Sequence, residues 1–201
     1  MDSRGIDASE GGADRDREGE KRLQQAMLLR CGEVGFGRTA LADVLALAGA
    51  TQEDFDASFS SLRECFLRAY AEESRHLCDR ILDAGARRPS WREGLRAALG
   101  ELGAYVAEKP FHSRALLVEV YVAGRDAMDL RTERFERLSR ALDSARRETT
   151  SRHSPPPLTA LFMVSTIEAA VVSLLARDKP DEFPKVVPEL ELLVARAYFC
   201  D

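Results

Sequence analysis

The chain has 201 residues, 45% of them hydrophobic, which suits one large domain or two small ones built around a real core. Its 29 lysines and arginines stand against 34 aspartates and glutamates, a net charge of −5. That balance excludes a globally basic nucleic-acid binder, so any DNA affinity has to come from a local patch.

Residues 1–19 show no hydrophobic periodicity and read as a mobile arm. The arm carries Arg4, Arg15 and Arg17 against Asp2, Asp7, Glu10, Asp14, Asp16 and Glu18. It is therefore not a basic minor-groove arm. It is also too charged for a secretory leader. A helix follows, with Leu23, Ala26, Met27, Cys31 and Val34 at helical spacing, and Gly35-Phe36-Gly37 ends it. Thr39 is the expected cap of the next helix, whose apolar face is Leu41, Val44, Leu45 and Ala48. Gly49 breaks that helix. Thr51, with Asp54 three residues on, starts another that carries Phe55 and Phe59 on one face. A longer helix is predicted over 61–84, with Phe66, Ala69, Tyr70, Leu77 and Ile81 inward.

The second half also reads as helical. Ser90 and Glu93 mark the start of a helix running to about Lys109, before Pro110. Phe111 to Gly124 is predicted as one further helix, and Asp126 as the cap of a long one over 126–150. Its Arg131, Arg134, Arg137 and Arg140 interleave with Glu133 and Glu136, the pattern of a solvated, salt-bridged face. Ser154-Pro155-Pro156-Pro157 is a loop. Residues 158–176 are apolar enough to raise the question of a membrane span. Glu168 at their centre argues instead for a helix buried by protein. A last helix over 184–199 makes nine, with no strand pair and no repeat. The cysteines Cys31, Cys65, Cys78 and Cys200 have no metal-ligand or redox spacing and read as reduced thiols of a cytoplasmic protein. No nucleophile elbow, phosphate loop or metal-binding helix is present, and His76, His112 and His153 lie in unrelated segments. Neither an enzyme nor a cofactor is expected.

The chain resembles the TetR family of bacterial transcriptional regulators. The resemblance rests on Glu33-Val34-Gly35-Phe36, Arg38 through Val44, Ala48-Gly49-Ala50-Thr51, Phe55, Phe59 and Ser61 through Phe66. It covers roughly residues 20–70; beyond them it rests on helix pattern and on Leu116 through Val120 followed by Ala123-Gly124. The resemblance implies an all-α homodimer with a helix-turn-helix DNA-binding head over 20–66 and a ligand-binding and dimerisation body over 67–201. The third helix would enter the major groove of a palindromic operator, and the last two long helices would pair the protomers. Arg38, Thr39, Thr51, Gln52, Glu53, Ser58, Ser61 and Arg63 are the candidate DNA contacts. A small apolar or amphipathic ligand would sit in the body and move the helix beginning near Ser61.

Two positions depart from the family pattern. Asp56 stands where the family places a phosphate-reaching Tyr, and Leu62 where it often has a Lys. No Lys or Arg occurs between Thr39 and Leu62, whereas Glu53, Asp54 and Asp56 do. A lost hydrogen bond and a carboxylate near a phosphate each cost about 1 kcal/mol, so the exchange costs about 2 kcal/mol per subunit. The sequence therefore leaves two readings: a ligand-responsive DNA-binding regulator of repressor type, or a TetR-like dimer whose operator binding is weakened or lost and which acts through a small ligand or a protein partner. Candidate ligand-site residues are Trp91, Tyr105, Phe111, Tyr121, Met128, Phe162 and Met163, for each of which plain core packing is the alternative. Glu119 and Glu168 interrupt apolar helices, and a buried carboxylate needs a partner: an Arg, a hydroxyl such as Tyr121, or a ligand cation.

Overall fold

A computed structural model describes the backbone of residues 7–147 and 155–199. Among the described residues there are nine α-helices and no strand. The first is α1 (Asp7–Val34), so the arm expected over 1–19 is already helical from Asp7. Once the packed part of a helix exists, each further residue adds one hydrogen bond for one residue fixed, and the helix extends past its hydrophobic stripe.

A 3-10 turn, Phe36–Arg38, leads to α2 (Leu41–Ala48) and α3 (Gln52–Ser58). Thr39 does not cap α2: its hydroxyl donates to the Gly35 carbonyl at 3.0 Å, and Ala40 holds the cap position without a side-chain bond. Gly49 closes α2 in the left-handed conformation that an L side chain resists. Thr51 and Asp54 form the expected capping box. The Thr51 Oγ1 accepts from the Asp54 N–H, and the Asp54 carboxylate accepts from the Thr51 N–H at 2.8 Å. Leu23, Met27, Val44, Ala48, Phe55, Phe59 and Phe66 are buried together as the core of this head.

The body begins with α4 (Leu62–Ala86), capped by Ser61, and α5 (Trp91–Glu108), whose cap Ser90 accepts from the Glu93 N–H. The predicted single helix over 111–124 is instead α6 (Pro110–Leu117) and a 3-10 turn, Glu119–Tyr121. Three β-branched valines, Val118, Val120 and Val122, weaken helix continuation there, and Gly124 at φ 101° ends it. Next, α7 (Arg125–Arg147) has Asp126 inside its first turn rather than at its cap; the predicted end at 150 and Ser154 lie outside the described residues. The bundle is completed by α8 (Thr159–Leu175), a 3-10 turn Pro180–Glu182 and α9 (Phe183–Phe199).

Head and body meet along α1 and α6. Gly32 is what lets them approach: a Cβ there would lie 1.8 Å from the Phe111 carbonyl oxygen. No helix among the described residues is long and apolar enough to cross a membrane. Cys31, Cys65 and Cys78 are buried free thiols, and burial pushes all three up in pKa, Cys65 to about 12. Such thiols are inert. Cys200 lies outside the described residues.

Candidate functional site

In the head, α3 buries Phe55 and turns Gln52, Glu53, Asp54, Asp56 and Ala57 outward. The capping bonds to Thr51 hold the Asp54 carboxyl below its ordinary range, so half of the acidic pair Glu53-Asp54 serves the helix itself. Asp56 accepts from the Gln52 side-chain amide at 2.9 Å, which occupies both groups with each other. The other expected DNA contacts divide. Thr51 and Ser61 are helix caps, Thr39 bonds within its turn, and the Ser58 carbonyl accepts from Arg68 at 2.8 Å. Arg38 lies exposed on the 3-10 turn beside them. Arg63 is engaged by the body instead, donating to the Ala123 carbonyl at 3.3 Å and pairing with Asp126 at 2.9 Å. Several other arginines of the head region serve its own structure: Arg22 donates to the Ala48 carbonyl, Arg30 to Asp43, and Arg68 to Glu20.

In the body, the arginine stripe of α7 is not the solvated face its spacing predicts. Arg134 and Glu168 are only 6% and 9% exposed, and they pair directly. Arg131 donates to the other carboxylate oxygen at 2.6 Å, and the Tyr121 hydroxyl reaches it at 3.2 Å. The Arg131 guanidinium also lies 4.0 Å from the Phe135 ring centre and 4.8 Å from that of Tyr121, a cation–π sandwich. Arg134 further donates to the Leu116 carbonyl at the end of α6. Only Arg140, paired along the helix with Glu136, keeps the expected surface role, while Arg137 bonds Asp79 on α4. Within one turn on α4 the buried hydroxyls of Tyr70 and Ser74 approach each other without good hydrogen-bond geometry. Burial pushes the Tyr70 phenol up, against the pull of the Arg134 charge.

Glu119 does not face this cluster. Its carboxylate accepts from the Phe36 N–H of the head at 2.8 Å. Tyr105 is fully buried, and its hydroxyl donates to Glu73 at 2.8 Å. Glu73 also accepts from Lys109 at 2.9 Å and Gln25 at 3.2 Å. Burial pushes Glu73 up, but these three donors outweigh it and hold the carboxyl below its ordinary range. Burial, and after it the same charge, pushes the Tyr105 phenol far up. Trp91 packs edge-on against Tyr198 of α9, and Phe111 opens α6 at the surface. Met128 and Met163 are half-buried, and Phe162 points outward from α8. The expected ligand residues therefore do not ring one pocket; Tyr121 and Glu168 meet and the rest disperse. A surface groove of about 340 Å³ lies elsewhere, between α4 and α5, lined by Glu73, His76, Asp79, Arg80, Tyr105 and Lys109 among others. Among the described residues no group of His, Cys, Asp and Glu is arranged to hold a metal.

A trihelical head joined through one long helix to a bundle of five further helices is also found in known proteins. The fatty acid degradation regulator FadR from Bacillus halodurans superposes with a TM-score of 0.78 at 12% identity, over 87% of this chain and 93% of that one. FadR from Bacillus subtilis, solved with stearoyl-CoA, gives 0.76 at 12% identity, over 87% of this chain and 96% of that one. A TetR family regulator from Marinobacter aquaeolei gives 0.68 at 19% identity, over 89% of this chain and 97% of that one. The fold is that of the TetR regulators. No family model and no curated protein matches at the level of sequence. On or beside α8 and α9 stand the exposed apolar side chains Leu158, Leu161, Phe162, Leu192 and Leu193.

Proposed function

We propose that the chain is a ligand-responsive, DNA-binding transcriptional regulator of TetR type, acting as a repressor. The observation that carries this reading is α3, a box-capped helix with one face buried by Phe55 and the other open. The reading makes the protein a homodimer through α8 and α9, whose outward leucines and Phe162 supply the apolar core of such an interface. Glu53 then faces base edges, where it accepts from a cytosine amine, and Gln52 reads adenine once its amide leaves Asp56. Arg38 is left to meet phosphate.

The effector on this reading is a small amphipathic molecule. FadR of Bacillus subtilis holds stearoyl-CoA, a long apolar chain on an anionic head. A body holding one buried and one partly buried guanidinium against one carboxylate suits a ligand with an anionic end. A second reading, a TetR-like dimer that acts without an operator, is favoured by the exposed Glu53 and Asp56 and by the lack of any Lys or Arg between Thr39 and Leu62.

Fluorescence anisotropy with DNA flanking the protein's own gene, at low salt, separates the two. Saturable, sequence-dependent binding is expected, tightened by Asp56→Tyr by roughly thirtyfold per subunit, the equivalent of about 2 kcal/mol. No binding by either protein at micromolar concentration would leave the second reading standing.

A further inference from the structure

The buried side of α4 that meets Arg134 of α7 carries hydroxyls with nothing to bond. Tyr70 and Ser74 stand one turn apart, both are buried, and neither hydroxyl has a hydrogen-bond partner among the described residues. Buried hydroxyls are rarely left so, and two side by side call for a group that satisfies both. The Arg134 guanidinium lies 5.9 Å from the Tyr70 ring centre. Its charge acts on Tyr70 and also on Cys78, the residues one turn to either side of Ser74. The charges here do not balance. Arg131 and Arg134 share the single carboxylate of Glu168, and Asp79, further along α4, is taken by Arg137. The Leu116 carbonyl accepts from Arg134 but carries no charge. One positive charge is left over. Arg134, almost without solvent, still has N–H groups to spare, since one goes to Leu116 and one to Glu168.

We propose that the body binds a small monovalent anion at this place, held by the Tyr70 and Ser74 hydroxyls and the spare N–H groups of Arg134. Every one of these groups donates, and charge-assisted bonds from such donors are the strong ones. A buried water satisfies two hydroxyls, but only an anion also cancels the leftover charge. Chloride and the carboxylate end of an organic molecule share this chemistry. The site goes beyond the regulator reading, since it needs neither DNA nor a second protomer.

Thermal unfolding of the full-length protein tests the site, with chloride or acetate replacing the bulky sulfonate isethionate at constant ionic strength. Raising the small anion from none to about 0.3 M is expected to lift the midpoint by about 4 °C. In Tyr70→Phe/Ser74→Ala the shift is expected to vanish, whatever the starting midpoint. A larger shift with acetate assigns the site to a carboxylate end, and a larger one with chloride to a free halide. A midpoint indifferent to both anions overturns the proposal and leaves water at the hydroxyls. An equal shift in the double variant also overturns it, because the anion then sits elsewhere. Should the double variant not fold, a crystal of the unaltered protein grown in bromide decides. An anomalous peak between Arg134 and the two hydroxyls is expected, and bromide found only elsewhere refutes the site. Failure to bind operator leaves these measurements intact.

Discussion

Glu168 is the residue on which the body's polar interior turns. A carboxylate at 9% exposure survives because two guanidiniums and a phenol satisfy it. Glu168→Gln removes the charge and leaves two guanidiniums facing each other, with a cost of about 3 kcal/mol or more in urea unfolding. A loss below about 1 kcal/mol would mean that the arginines find solvent without it. Glu73 makes the second residue-scale prediction. Its folded pKa lies below the ordinary value of 4.5, so its contribution is full above that pH and is lost as pH falls through the folded value. Glu73→Gln is therefore expected to flatten the acid limb of stability below about pH 4.5, measured by thermal unfolding across pH. The sequence flags both Glu119 and Glu168 as interruptions of apolar helices. It does not say that one faces a cluster and the other a backbone N–H 83 positions earlier, because neither partner is local.

At the scale of elements, periodicities, the Gly49 break and two of the caps are legible in the sequence, and the helix break after Leu117 is not. Thr51 and Ser90 cap the helices their spacing predicts, since a cap is a bond within three residues, whereas Thr39 and Asp126 do not hold the cap positions expected of them. The break after Leu117 escapes the pattern because apolar residues continue through it; what stops the helix is valine crowding and the outside bonds of Glu119 and Arg134. The arginine spacing of α7 misleads for a related reason: a period of three or four marks one face without saying what covers it. The α1–α6 contact gives a test with an unambiguous sign. In an exposed helix, Gly→Ala stabilises by about 1 kcal/mol. Gly32→Ala is instead expected to destabilise by about 1–3 kcal/mol, because its Cβ meets a backbone carbonyl that has no side chain to move aside. Stabilisation in chemical denaturation would show that α6 slides freely on α1.

On the scale of the whole molecule, the proposed dimer predicts that Phe162, 60% exposed in one protomer, is buried by a second. Phe162→Asp places two carboxylates at that interface and is expected to yield monomers at micromolar concentration by sedimentation velocity. A variant that still sediments as a dimer would move the interface off α8. Composition and spacing alone determined the class and the order of the nine helices found among the described residues, because helix periodicity and a glycine break such as Gly49 are local chemistry. They also determined that the outward face of α3 is acidic, since no later contact changes the residues a short helix carries. Tertiary structure alone decided which arginines are buried, that Arg63 belongs to the body, and that Glu119 reaches back to Phe36. Each of these depends on a partner brought near by packing, and a buried charge takes the nearest partner that satisfies it, however far away in the chain.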